Sequence, residues 1–235
     1  MNVAIMLALI GLAICVWWLL LQKFRAKPWL QQGVLAEPLH SATFYPPQFI
    51  GLGVFLAVVM TLFALFAVAY HMRMDVPDWV HLPLPSVLLL NTALLVLGSI
   101  AMQAAWSAAD RSNERAGTTG AGADHWRRAR IYLQWGGFFA IAFLIGQLAA
   151  WRQLDAQGFY FSCSPASAFF YVLTALHGVH LLGGLLVWGK TALASVRIDS
   201  RQRAPAIALS IRLCAIYWHF LLLIWLAVYA LFAFT

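Results

Sequence analysis

The chain is poor in charge. Only 10% of its 235 residues are Asp, Glu, Lys or Arg, against 63% hydrophobic. A soluble domain carries about 25% charged residues, so most of this surface has no need of water, and the composition is that of a membrane protein. Acid is scarcer still. The eight carboxylates (Glu37, Asp75, Asp78, Asp110, Glu114, Asp124, Asp155 and Asp199) all fall between the long apolar stretches or at their ends. Proton pumps and ion-coupled transporters keep acids inside the membrane, so the composition argues against a proton relay carried by this chain alone. Paired-carboxylate hydrolysis and a carboxylate-rich metal site lack their residues as well. Cysteine is nearly absent: Cys15, Cys163 and Cys214 are odd in number and scattered. They offer neither a disulfide framework nor a CxxC metal site, and packing is their expected role. There is no internal repeat and no matched pair of broken helices of the inverted-repeat transporter kind.

What is present is uncharged length. Between consecutive charged residues lie six windows, 1–22, 38–72, 79–109, 131–151, 156–189 and 213–235. A spanning helix needs about 20 residues, so each window holds one. The window 38–72 opens with HSATFYPPQ, whose Pro46 and Pro47 suit an approach segment rather than a helix interior. The expected fold is an all-α, polytopic integral membrane bundle with spans near 3–22, 48–71, 84–109, 129–152, 165–193 and 207–234. Residues 1–47 form an N-terminal span with a basic loop, and 48–235 a five-helix bundle. Ser164 before Pro165 reads as an N-cap with proline at the first helical position. The Gly-rich AGTTGAGAD at 116–124 reads as a flexible linker.

Basic residues orient the spans. The first, third and fifth loops hold 13 of the 15 Lys and Arg residues. The positive-inside rule makes those loops cytoplasmic and puts both termini on the opposite side. No positive charge precedes the first apolar run and three follow it, the order of an N-out helix rather than a signal peptide. A nucleic-acid face would need clustered basic residues with interleaved aromatics, and here the charges are spread over three loops. Trp17, Trp18, Trp29, Trp79, Trp106, Trp126, Trp135, Trp151 and Trp188 lie near span ends, as an interfacial belt does. Trp218 and Trp225, seven apart and deeper, suggest a packing seam.

The chemistry left inside the membrane is imidazole. In TALHGVHLLGG, His177 lies about 18 Å below the start of its helix, and His180 is expected one turn deeper on the same face. His219, in YWHFLLLIWL, is also deep, so three imidazoles could converge between the last two spans. A metal or haem site is one reading. The more frequent one is interhelical hydrogen bonding, with Asn91, Thr92, Gln147 and Thr174 as partners. The pair lacks the third ligand and the supporting carboxylate of a catalytic metal. Gly178, Gly183 and Gly184 are expected to let helices approach closely.

Four stretches together resemble subunit III of the haem–copper respiratory oxidases. PSVLLLNTALLVLGSIAMQAA is similar to that family's proline, Asn-Thr and serine pattern, here Asn91, Thr92 and Ser99. FLIGQ is similar to its Gly-Gln step, here Gly146 and Gln147. SPASAFFYVLTALHGVHLLGG resembles its Phe-Tyr-x-x-Thr-x-x-His-Gly-x-His signature, and YWHF, with Trp218 and His219, its last-helix motif. The resemblance covers residues 48–234. It implies a five-helix core behind an extra N-terminal span, where mitochondrial-type members have seven helices.

The resemblance also implies a non-catalytic subunit of a cytochrome c or quinol oxidase in a bacterial inner membrane. Haem and copper would sit in the partner catalytic subunit I, with subunit II beside it, and phospholipid would lie against this chain. The structural, interhelical residues would be Asn91, Thr92, Ser99, Gln147, Thr174, His177, Gly178, His180, Trp218 and His219.

The departures are acids. Val59, Ala150 and Leu222 stand where the family usually has carboxylates. A proton-antenna role through intramembrane acids would therefore be lost while scaffold and lipid roles remain, and Glu installed at position 59 is expected to leave assembly intact. Three other readings stay open at this point: a b-type cytochrome using His177 or His180 with His219, a nitric-oxide-reductase-associated homologue, and a small-molecule permease.

Overall fold

The computed structural model describes residues 47–80, 82–114, 121–196 and 204–234. The expected span near 3–22 lies outside them. The described residues form five helices: α1 (Pro47–Met74), α2 (Val87–Glu114), α3 (Ala121–Ala156), α4 (Pro165–Val196) and α5 (Ala204–Ala233). All five are long and apolar enough to cross a bilayer, so the chain is a multi-pass membrane helix bundle. By contacts it divides into two units, Met1–Phe55 and Leu56–Thr235. Of the first unit, only the opening of α1 is described.

Local chemistry explains the helix ends. α2 starts just past Pro85, and Leu88 N–H donates to the Pro85 carbonyl at 3.0 Å, because the residue before a proline is kept out of the helical region. α3 closes in a Schellman turn. Gly158 takes φ of +86°, Phe159 N–H donates to Leu154 O at 3.1 Å, and Gly158 N–H donates to Asp155 O at 3.0 Å. α4 opens on a reciprocal serine cap: Ser167 N–H donates to Ser164 Oγ at 3.2 Å, and Ser164 N–H donates to Ser167 Oγ at 3.1 Å.

The expected start of α3 near 129 is corrected to Ala121, so residues 121–124 of the supposed linker are helical. Asp124 in the first turn complements the helix dipole, and Gly122 O accepts the Ser112 hydroxyl at 2.8 Å.

Within the second unit, α2 packs on α3, α3 on α4, α4 on α5 and α5 on α2, which makes a closed ring of four helices. The α2–α3 contact is the most extensive of these. With no hydrophobic drive between helices in lipid, close backbone approach must supply the attraction. Small residues provide it here: Ala101, Ala105, Ala108, Ala109, Ala129 and Ala140 are buried. A Cβ on Gly98 would lie 3.3 Å from Phe139 Cβ, and one on Gly136 would lie 2.9 Å from Met102 Cγ.

α1 buries a narrow stripe of Leu56, Val59, Phe63 and Tyr70, while Val58, Leu65 and Met72 are exposed. Tyr70 meets Trp79, Phe169 and Phe232 edge-on, with ring centroids 4.8, 5.5 and 5.7 Å away. In the last turn of α1, Arg73 donates to both oxygens of Asp78 in the following loop, at 2.7 and 2.5 Å.

Candidate functional site

Several buried polar side chains tie one helix to another. On the α2–α3 face, Asn91 Nδ2 donates to Gln147 Oε1 at 3.3 Å. Both residues are buried, and the room for Asn91 comes from Gly146, where an added Cβ would collide with Asn91 Oδ1. Between α2 and α5, Thr92 donates to Leu88 O at 2.8 Å and accepts the Trp225 indole N–H at 3.0 Å. Thr174 plays the same double part between α4 and α3, donating to Phe170 O at 2.6 Å and accepting Trp151 Nε1–H at 3.0 Å. Each threonine returns its own proton to its helix and offers its lone pair to a neighbour's tryptophan. Trp188 Nε1 donates to Leu133 O at 2.7 Å, and Gly137 leaves the space, since a Cβ there would strike the indole.

The three deep imidazoles do not converge. His177 is fully buried and faces Phe143 on α3 and Trp225 on α5, with centroids 5.5 and 5.3 Å away. Neither of its ring nitrogens has a hydrogen-bond partner among the described residues. His180 turns elsewhere: its ring lies 5.7 Å from Phe63 of α1, and Nδ1–H donates to Leu176 O at 2.8 Å. Its own carbonyl accepts the Tyr217 hydroxyl at 2.8 Å.

His219 belongs to a third seam, between α5 and α2. Nε2–H donates to Gln103 Oε1 at 2.9 Å, so Nδ1 accepts the Ser99 hydroxyl proton. This is a neutral imidazole with both nitrogens engaged. The helix positions of His177 and His180 differ by three residues, and the offset is enough to aim one into the ring and the other at α1.

Among the glycines of α4, Gly184 is the close-approach position, where a Cβ would lie 2.5 Å from Tyr217 Cε1. A Cβ at Gly178 would find only Leu144 Cδ2 at 3.8 Å, an ordinary contact, and at Gly183 nothing within 4 Å. The expected close approach is therefore confined to Gly184. Trp218 is buried beside Gly184 and Gly98, with its indole N–H unpartnered among the described residues. Sequence reasoning missed Gln103, whose signal was its four-residue spacing from Ser99 inside an apolar run.

Val59 is 2% exposed and Ala150 is fully buried. A carboxyl at either position would be buried in apolar surroundings, so the expectation that Glu at position 59 leaves assembly intact gives way to one of destabilisation. Among the described residues, no three His, Cys, Asp or Glu side chains gather as a metal-ligand group.

No family model matches the chain. It is 26% identical over 205 residues to the Corynebacterium diphtheriae protein named cytochrome c oxidase subunit 3, covering 83% of this chain and 92% of that one. It is 29% identical over 198 residues to the Synechocystis protein of the same name, covering 77% of this chain and 72% of that one. A probable cytochrome c oxidase subunit 3 from Mycobacterium bovis is 31% identical over 87 residues, and there the chain spans 41% of the relative's length and 37% of its own. The chain is thus similar over most of its length to proteins named cytochrome c oxidase subunit 3.

Proposed function

We propose that this chain is the non-catalytic subunit III of a bacterial haem–copper terminal oxidase. It stabilises the catalytic subunit and holds phospholipid while the assembly carries electrons to oxygen. The observation that supports this best is the use of its buried polar groups. Asn91–Gln147, Thr92–Trp225, Thr174–Trp151 and Ser99–His219–Gln103 each link two helices, and the three deep histidines face three different seams. Haem and copper would reside in subunit I, with subunit II in the same complex. Lipid would cover the exposed apolar face of α1. The relatives' name supports the assembly, and the distribution of basic residues supports a bacterial inner membrane with both termini on the periplasmic side.

Purification of the tagged chain in mild detergent tests the assignment. Co-elution with a haem- and copper-bearing subunit is expected, with loss of that subunit's thermal stability when this chain is stripped. A Soret band that stays with the isolated chain would replace this reading with the b-type cytochrome. For orientation, Cys163 is exposed in the α3–α4 loop. It should react with a membrane-impermeant maleimide added to intact spheroplasts, and labelling only after lysis would reverse the topology.

A further inference from the structure

The α2–α5 seam has an outer side that the subunit reading leaves unexplained. Ser99, Gln103, Ser107 and Arg111 follow at four-residue spacing along α2 and, with His219 of α5, line a groove of about 410 Å³. Ser107 donates to Gln103 O at 2.9 Å, and Arg111 Nε donates to Ser107 O at 3.0 Å, so these two are partly satisfied by their own helix. Gln103 is different. It is exposed, its Oε1 accepts from His219, and its two amide N–H donors have no partner among the described residues.

Depth decides what can answer them. Gln103 lies eight residues, about 12 Å, inward from Arg111 along the helix. His219 lies seven residues, about 10 Å, inward from Arg212. With a hydrocarbon core about 30 Å thick, both are well inside it. A lipid phosphate sits at the level of Arg111 and cannot reach them, and acyl chains offer no acceptor. An exposed carboxamide in hydrocarbon is costly, and at that depth a protein side chain or carbonyl is the available acceptor.

We propose that this groove seats a membrane-spanning helix of the oxidase assembly, and that the helix presents a hydrogen-bond acceptor to Gln103. The inference rests on the subunit reading above and names the surface it uses. The polar contact sets the register of the docked helix, and the apolar walls around Ile100, which is 59% exposed, supply its packing.

A photoreactive benzoylphenylalanine placed at Ile100 of the tagged full chain, in the native complex, tests this. The same probe at Leu186, 72% exposed on α4, is the reference. Ile100 should crosslink to a transmembrane peptide of the haem-bearing partner, identified by mass spectrometry. Gln103→Leu should lower the haem-bearing partner retained per chain by about fivefold, the ratio that about 1 kcal/mol gives. Because Gln103→Leu also removes the acceptor of His219 Nε2–H, retention is read against Gln103→Glu, which keeps that acceptor but loses the amide donors and should lower retention as well. Crosslinks from Ile100 only to lipid, to a second copy, or to residues 1–46 of the same chain would each overturn the proposal. If the unmodified chain brings down no haem-bearing partner, the subunit reading falls and this one with it. If it does, and Ile100 captures none of it while Leu186 does, only the surface assignment falls.

Discussion

His177 and His219 sit on adjacent helices of one bundle and are built in opposite ways. Around His177 the α3–α4–α5 seam is dry and aromatic. Phe143 stands edge-on to Trp225 at 4.8 Å and the imidazole fills the space beside them without a hydrogen bond. Around His219 the α2–α5 seam is polar and partly open, and both ring nitrogens are engaged. The same side chain thus serves once as a flat, roughly aromatic filler and once as a two-ended connector. A buried unpartnered polar group costs stability, whereas a connector that loses its ring strands two other groups. What decides the role is the company each ring keeps across the helix boundary.

The contrast can be broken or sharpened in order of expected effect. The largest comes from the helix approach that both seams depend on. Gly146→Val should push Asn91 off α3 and lower the stability of the purified complex by about 3 kcal/mol, read as a lower melting temperature in detergent. His219→Leu comes next. It leaves Ser99 and Gln103 without their shared partner and should cost about 2 kcal/mol. His177→Leu should run the other way, neutral or stabilising by up to about 1 kcal/mol, since an apolar side chain of similar size loses no bond there. Equal losses from the two histidine variants would erase the distinction drawn here.

The smallest effect lies outside the membrane. Hydrogen bonding to the Arg73 guanidinium holds the Asp78 carboxyl below the usual carboxylate range. A carboxyl depressed on folding adds stability above its unfolded value, and that stability is lost as pH falls through the lowered one. Because the pair is solvent-exposed the gain is slight. Amide protection in the turn after Met74, corrected for the intrinsic pH dependence of exchange, should fall only as pH drops below the ordinary aspartate range, and Asp78→Asn should flatten the profile.

The five described spans were legible because charge is costly in a bilayer, and charge-free windows mark where it is excluded. The same logic misplaced the start of α3. Asp124, Arg127, Arg128 and Arg130 mark the membrane boundary, but a helix can continue through water, and this one does to Ala121. Asn91, Gln147 and Thr174 could be nominated as interhelical groups since a lone polar residue in an apolar run needs a partner. Which partner it has depends on the rotation of two helices, and no spacing along one of them carries that. The same holds for His177 and His180, whose nearness in sequence suggested a shared site that their different neighbours dissolve. Gln103 shows the reverse case, a residue unremarked in sequence and informative once its exposure is known.

The ring of four helices has a consequence for how the protein is made. α2 and α3 are consecutive in the chain and share the most extensive contact, so they can pair as a hairpin soon after they leave the ribosome. The ring closes only when α5 returns to α2. Until then Thr92 and Ser99 on α2 lack Trp225 and His219, and the unfinished protein displays polar groups to lipid. A chain ending before Ala204 should keep its hairpin yet vanish faster than the full-length protein in a pulse–chase, so the last helix serves as the certificate of completion.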